Sequence, residues 1–190
     1  MGLFDKMKSI ATDVASGIAS QASAAATAAM NAAGAASAPG GAAGPAKADP
    51  KKEQIRSIFN SRVPEGESYS VIAGMFLVTT KKLTKEIRTY YNYIIGYKDG
   101  DDPEIVSLST TNDLATVDEP VYLKKSECDK AEYLQNTASF SITSKTLENP
   151  LNFGIITSAA WGHSGALIIP VGYQDEFMPV TEFFQNRYAK

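Results

Sequence analysis

The first part of this chain has the hydrophobic and polar pattern of a helix. Between residues 3 and 18, apolar side chains recur at spacings of three and four, which is the spacing of an amphipathic helix. Alanine then dominates up to residue 38, and because alanine is the best helix former, the pattern predicts that the helix continues. The strongest apolar positions of this predicted helix are Leu3, Phe4, Met7, Ile10, Val14 and Ile18.

A composition change separates this arm from the rest of the chain. Residues 39–49 consist mostly of proline, glycine and alanine in irregular order, which predicts a flexible linker. Asp49 before Pro50 is a helix-start signal, because an aspartate cap accepts from free backbone amides and proline suits the first helical position. We therefore predict a helical arm over 1–38, the linker over 39–49 and a globular domain over 50–190 that opens with a short helix.

The globular domain is rich in β-branched and aromatic runs separated by turn residues, which predicts six or seven strands. A C-terminal helix is predicted from Pro179, with Val180, Phe183, Phe184 and Tyr188 on one face. The resulting fold class is mainly β (α+β), a small, partly open barrel or sandwich closed by that helix. The predicted strands cover residues 69–80, 87–97, 104–109, 121–123, 138–143, 153–158 and 166–173, and a further short helix is predicted over 126–135.

Charge and composition exclude some classes of function. The chain has 18 basic and 21 acidic side chains, a net charge of -3 and a pI near 5.2. Residues 1–50 carry three of each sign, so the whole deficit belongs to the β domain. Nucleic-acid binders usually carry a basic excess, and we therefore expect no nucleic-acid partner.

Candidate residues for catalysis or metal binding are few. Cys128 is the single cysteine and His163 the single histidine, and neither has a second ligand at zinc-site spacing. His163 and Ser164 are neighbours in a glycine-flanked stretch with Trp161, but adjacent residues rarely point the same way and no nucleophile-elbow motif is present. Phosphate-binding glycine loops are also missing. We expect no metal, no cofactor and no enzymatic activity.

Four basic residues surround the connection between the first two predicted strands. They are Lys81, Lys82, Lys85 and Arg88. If they converge, they form a candidate anion contact that would attract an anionic lipid head group. The alternative is a charged hairpin tip that protects solubility.

The first predicted strand ends in Val78-Thr79-Thr80-Lys81-Lys82-Leu83, and the chain ends in a helix that carries Phe183 and Phe184. In this turn and in its layout, the region from about residue 55 to 190 resembles the bacterial pleckstrin-homology-like domains. Lys82 stands where that family usually has arginine, and Lys85 and Arg88 are three apart, so the eukaryotic lipid-binding pattern is not met. The resemblance implies a partly open β-barrel plugged by a helix, acting as a binding or scaffold module.

Two functions are consistent with the arm. Its apolar face could lie in a membrane interface, or its small residues could pack between copies of the chain. We expect the first, because the bulky apolar residues are concentrated at the start of the chain. The chain would then be a non-enzymatic, cytoplasmic adaptor, peripheral on the inner face of a membrane, whose β domain binds a protein partner. The alternative is a structural subunit of a virion or other homomeric assembly.

Overall fold

The computed structural model describes residues 49–82, 84–158 and 167–189. The predicted arm over 1–38 and almost all of the linker lie outside the described residues. The contacts among the described residues divide them into two units. The body consists of residues 49–77, 90–134, 139–158 and 167–189, and the second unit consists of the hairpin residues 78–82 and 84–89 together with the turn 135–138. The helices are α1 (Pro50–Arg62) and α2 (Phe177–Phe183), and α2 continues as a π-helical turn (Phe184–Tyr188). The strands are β1 (Ser70–Lys82), β2 (Lys85–Lys98), β3 (Glu104–Thr110), β4 (Val121–Lys124), β5 (Cys128–Leu134), β6 (Ser139–Ser144) and β7 (Leu151–Ile155).

All seven strands form one antiparallel sheet in the order β4-β3-β2-β1-β7-β6-β5. The sheet is nearly closed like a barrel, and β4 and β5 are its two end strands. This confirms the predicted fold class, a mainly β domain with a C-terminal helix. Along β2 and β3 the paired residues alternate between faces, with Gly96 opposite Val106 on one face and Tyr97 opposite Ile105 on the other.

The two helices pack on opposite faces of β2. Helix α1 begins as predicted, because Asp49 accepts a hydrogen bond from the Lys51 amide at 2.9 Å and Pro50 occupies the first turn. Phe59 of this helix is fully buried and lies directly over Gly96, where the missing side chain leaves room for its ring. On the opposite face, the ring of Phe183 lies 5.0 Å from that of Tyr97. Both faces of β2 around Gly96 and Tyr97 are therefore core.

The C-terminal helix fills the inside of the sheet and joins its two ends. All four residues predicted to share its buried face, Val180, Phe183, Phe184 and Tyr188, are buried. The Tyr188 hydroxyl donates to the Leu123 carbonyl of β4 at 2.8 Å and lies 3.1 Å from the Cys128 sulfur of β5. Burial raises the pKa of Tyr188, so this phenol stays protonated and able to donate. One side chain thus connects the two end strands of the sheet.

The predicted helix over 126–135 is wrong, because most of this segment forms strand β5. Its buried residues Cys128 and Ala131 are three apart, a helical spacing. In the structure, Cys128 pairs with Ser144 and Lys130 with Thr143, so a β-bulge inserts one extra residue between them. The bulge shifts the alternation by one position and turns both Cys128 and Ala131 inward.

The predicted strand over 166–173 is also wrong for its described part, residues 167–173, which has no strand assignment. The backbone of this segment forms hydrogen bonds with a side chain instead of with a neighbouring strand. The buried Asn92 side chain donates to the Leu167 carbonyl at 3.0 Å and accepts from the Ile169 amide at 3.2 Å. Pro170 has no amide to donate, which is unfavourable inside a sheet. The segment is buried as an irregular stretch anchored to β2.

Candidate functional site

Several candidate residues lie outside the described part of the chain. These are the predicted membrane or assembly contacts Leu3, Phe4, Met7, Ile10, Val14 and Ile18, together with the loop residues Trp161, His163 and Ser164. Their predicted roles stay predictions. Among the described residues, no helix is long and apolar enough to cross a membrane. No group of three or more His, Cys, Asp and Glu side chains suited to a metal ion occurs among them either.

The four candidate anion-binding residues all lie on the hairpin and are exposed. Lys81 and Lys82 end β1, while Lys85 begins β2. Successive residues of a strand point to opposite faces, so Lys81 and Lys82 cannot contact one head group from the same side. Arg88 is engaged by a carboxylate, since its Nε lies 2.8 Å from Glu86 Oε1. All four basic residues therefore lie on one hairpin, but their side chains are distributed over its two faces.

Strand β2 is much longer than its neighbour β3. The pairing of these two strands runs from Asn92 opposite Thr110 to Lys98 opposite Glu104, although β2 begins at Lys85. Residues 85–91 of β2 therefore lie outside the stretch that pairs with β3. We call residues 85–89, whose side chains are all exposed, the hairpin edge. Exposed strand edges are templates for pairing with another chain.

The point where β3 ends is fixed by a tight turn in the body. The Thr111 amide donates to the Thr116 carbonyl at 3.1 Å, and the Asp118 amide donates to the Ser109 carbonyl at 2.9 Å. Asp113 accepts from the Thr111 hydroxyl at 2.6 Å, and this hydrogen bond lowers the pKa of the Asp113 carboxyl. Because the chain folds back here, β3 ends at Thr110.

The side chains of the hairpin edge divide sharply between the two faces of the strand. Glu86 and Arg88 are two residues apart and form an ion pair on one face. Ile87 lies between them on the other face, with 44% of its surface exposed. Edge strands are normally protected by charge, so the exposed isoleucine makes these residues a candidate contact surface.

Two open clefts lie in the body. One, of about 240 Å³, is lined by tyrosines and hydroxyl side chains at the start of the paired part of β2. The other, of about 540 Å³, follows one face of α1. Its two cations have structural partners, since Lys52 lies 2.7 Å from Glu176 and Arg56 donates to the Glu67 carbonyl at 3.0 Å and to the Tyr69 carbonyl. These cations hold α1 in place. The first cleft is lined by Tyr90, Tyr91, Asn92, Tyr93, Ser109, Thr110, Thr111, Thr116 and Asp118.

No protein-family model, curated protein or solved structure matched this chain when it was compared with them.

Sequence reasoning found the basic residues of the hairpin but missed Glu86 and Ile87. Their signal is present in the sequence, because opposite charges flank an isoleucine at positions 86 and 88. The signal becomes meaningful only when strand β3 is known to end opposite Asn92, which leaves residues 85–91 outside the pairing with β3.

Proposed function

We propose that this chain is a non-enzymatic adaptor whose β domain binds a protein partner along the hairpin edge. The observation that supports this proposal best is that the side chains of residues 85–89 are all exposed, with Ile87 44% exposed among them. An added strand gains main-chain hydrogen bonds from such an edge, and the flanking side chains select the partner. The exposed Ile87 between Glu86 and Arg88 supplies both apolar and charged contacts.

A pleckstrin-homology-like domain is the architecture that we propose for the β domain. Support comes from the nearly closed seven-stranded sheet and from the helix that packs inside it through Phe184, whose ring lies 4.7 Å from that of Phe140. The interior is filled by side chains, so ligands of this domain would bind at its surface, edges and loops.

The second part of the proposal concerns attachment to the inner face of a membrane from the cytoplasm. The predicted amphipathic arm carries Leu3, Phe4 and Met7 on its apolar face, and helices of this kind bury that face at the lipid interface. Asp5 and Asp13 reduce attraction to anionic lipids, so apolar burial would dominate. Lys81 and Lys82 would add a smaller electrostatic contribution that screens with salt.

Vesicle flotation tests the membrane part on the full-length chain. A variant with Phe4, Met7 and Ile10 changed to serine should remain at the bottom of the gradient while the unmodified chain floats. A matched control changes Ser9 and Thr12 on the polar face to alanine and should float normally. Equal flotation of the unmodified chain and the apolar-face variant would contradict membrane attachment.

Site-specific photo-crosslinking tests the protein-binding part in cells of the native host. A photo-reactive amino acid at Thr89, on the hairpin edge, should give a discrete protein adduct. The same amino acid at Lys145, an exposed turn residue between β6 and β7, is the control and should give none. Absence of any adduct at Thr89, or equal adducts at both positions, would refute binding along this edge.

A structural subunit of a virion or other homomeric assembly is the second candidate function. The observation that favours it is the charge order around Ile87, which is complementary to itself when the strand is reversed. In such an assembly the N-terminal arm would also pack between copies.

A further inference from the structure

The smaller cleft of the body, about 240 Å³ in volume, combines tyrosine rings with hydroxyl groups and a carboxylate. We propose that this cleft, which we call the tyrosine cleft, binds a single uncharged sugar ring. The aromatic ring of Tyr91 would lie against the C–H face of the sugar, and the polar side chains beside it would bond the sugar hydroxyls. The site goes beyond the proposed function, because its residues all lie in the body and none belongs to the hairpin edge.

Strand pairing places the side chains of the tyrosine cleft on one face. Tyr93 of β2 lies opposite Ser109 of β3, and on the far side of β3 the Asp118 amide donates to the Ser109 carbonyl at 2.9 Å. Residues that pair in this way share a face, so Tyr93, Ser109 and Asp118 form a row. Tyr91 and Thr116 are each two residues away from a member of this row, and they therefore point to the same side.

The polar groups of this face are available to a ligand. The Ser109 and Thr116 hydroxyls and the Asp118 carboxylate form no hydrogen bond or ion pair with any described residue. All three side chains are exposed, and Tyr91 has 47% of its surface exposed beside them. Tyr93 is half-buried, and its burial, together with the nearby Tyr91, raises the pKa of the Tyr93 phenol, which stays protonated and able to donate. The cleft thus offers both donors and acceptors next to an aromatic ring.

The charge of the cleft defines the class of ligand. The described residues that line it include one carboxylate, Asp118, and no basic side chain, so the cleft does not suit phosphates, anionic lipid head groups or nucleic acids. A quaternary ammonium group would use the tyrosine face and the carboxylate, but it would leave the hydroxyls without partners. A sugar uses all of these groups, because its hydroxyls both donate and accept while its C–H face covers an aromatic ring.

The size of the cleft points to one sugar ring. Pockets for drug-sized ligands have volumes of about 300–1,000 Å³, and the tyrosine cleft is smaller than this range. A single ring in an open cleft buries little surface, so we expect a Kd of about 1 mM. Binding of this strength is measured well by NMR titration, which also shows which amides respond.

The first test titrates the isotope-labelled full-length chain with the methyl glycosides of glucose, galactose, mannose and N-acetylglucosamine, each used separately. We expect at least one glycoside to cause saturable shifts of amides within residues 90–93 and 109–118. A site with the expected Kd would be almost filled at about 50 mM glycoside. No saturable shift with any of the four at that concentration would overturn the proposal, and so would shifts confined to other parts of the chain.

The aromatic contact is tested at Tyr91 with the glycoside that binds best. Tyr91→Ala should raise the Kd about tenfold, whereas Tyr91→Phe keeps the ring and should raise it by no more than about threefold. Tyr122→Ala is the matched control, because Tyr122 is a 39% exposed tyrosine of β4 that does not line the cleft. The control should bind like the unmodified chain. Equal Kd values for Tyr91→Ala and Tyr122→Ala would refute this site.

Two further variants distinguish a sugar from an organic cation, for which choline is the probe. Thr116→Val replaces a hydroxyl by a methyl group of similar size and should raise the sugar Kd about three- to tenfold. Asp118→Asn keeps a hydrogen-bonding side chain and should raise it by less than about threefold. If choline instead binds more tightly than every glycoside and Asp118→Asn abolishes its binding, the sugar proposal is wrong.

The variants also need to be folded for these comparisons to count. Amide signals of each variant away from the cleft should coincide with those of the unmodified chain, and Tyr91→Phe and Thr116→Val are conservative enough to keep the test valid if Tyr91→Ala fails to fold. Occupation of the cleft by another segment of this chain would leave every probe without effect and would overturn the proposal. Because the hairpin edge takes no part in these titrations, their failure leaves binding along that edge standing, and the absence of an adduct at Thr89 leaves the tyrosine cleft standing.

Discussion

Gly96 is the position where a single added methyl group should be most damaging. A Cβ atom at this residue would lie 2.1 Å from Cζ and 2.5 Å from Cε2 of Phe59. Carbon atoms in contact are normally about 3.5–4.0 Å apart, so the ring would have to withdraw by about 1.5 Å. The ring has little freedom to do so, because it is fully buried and packs edge-on against Tyr69 at 5.6 Å.

Overpacking of a well-filled core costs typically 1–3 kcal/mol, and the severity of this contact places Gly96→Ala at about 3 kcal/mol of lost unfolding free energy. Urea denaturation followed by circular dichroism measures the loss. Gly100→Ala is the control, because no atom lies within 4 Å of the Cβ that it would add. It should change the unfolding free energy by less than about 0.5 kcal/mol.

A compensating substitution sharpens the test. Phe59→Leu removes the ring atoms that the new methyl group would meet and alone should cost about 1 kcal/mol. If the contact is the cause, the double variant with Gly96→Ala should be more stable than the sum of the two single effects by about 2 kcal/mol. Additive effects, or equal losses for Gly96→Ala and Gly100→Ala, would refute the steric explanation.

Three further substitutions probe the helix start, the barrel closure and an ion pair. Asp49→Ala should lower the unfolding free energy by about 1 kcal/mol, since it removes the side-chain cap of α1, and thermal denaturation would show it. Tyr188→Phe should cost about 1–2 kcal/mol by urea denaturation, because a buried carbonyl loses its donor. A hydrogen bond from Arg187 lowers the pKa of Asp99, so the stability from this pair is present above the usual pKa near 3.8 and is lost as pH falls through the lower native value. Asp99→Asn should therefore reduce the loss of stability between pH 4 and pH 2, and a pH series of urea midpoints unchanged from that of the unmodified chain would contradict this.

The fold could be predicted wherever local chemistry and tertiary packing agree. Asp49 and Pro50 define the start of α1 by local hydrogen bonding, and the shared face of Phe184 and Tyr188 follows from helical periodicity. Prediction failed at β5, because Ala, Glu and Lys favour a helix while the pairing with β6 imposes a strand. The bulge that made its buried residues look helical depends on a partner strand that is distant in sequence.

The candidate site was predictable only in part for the same reason. The basic character of the hairpin is visible in Lys81, Lys82 and Lys85 without any structure. The hairpin edge depends on where a different strand stops, and that point is set by the turn that follows Thr110. The periodic pattern within β2 carries no information about where β3 ends.

The bond from Tyr188 across the two end strands has a consequence for the order of folding. Its partners Leu123 and Cys128 are 65 and 60 residues away along the chain. Contacts of such long range require closure of a large loop before they contribute, which slows folding and places them late. Barrel closure should then follow the formation of the local hairpins, and the Tyr188 contacts should be absent from the folding transition state. Loss of this hydroxyl would leave the folding rate almost unchanged and accelerate unfolding, so the phenol governs how long the folded domain persists.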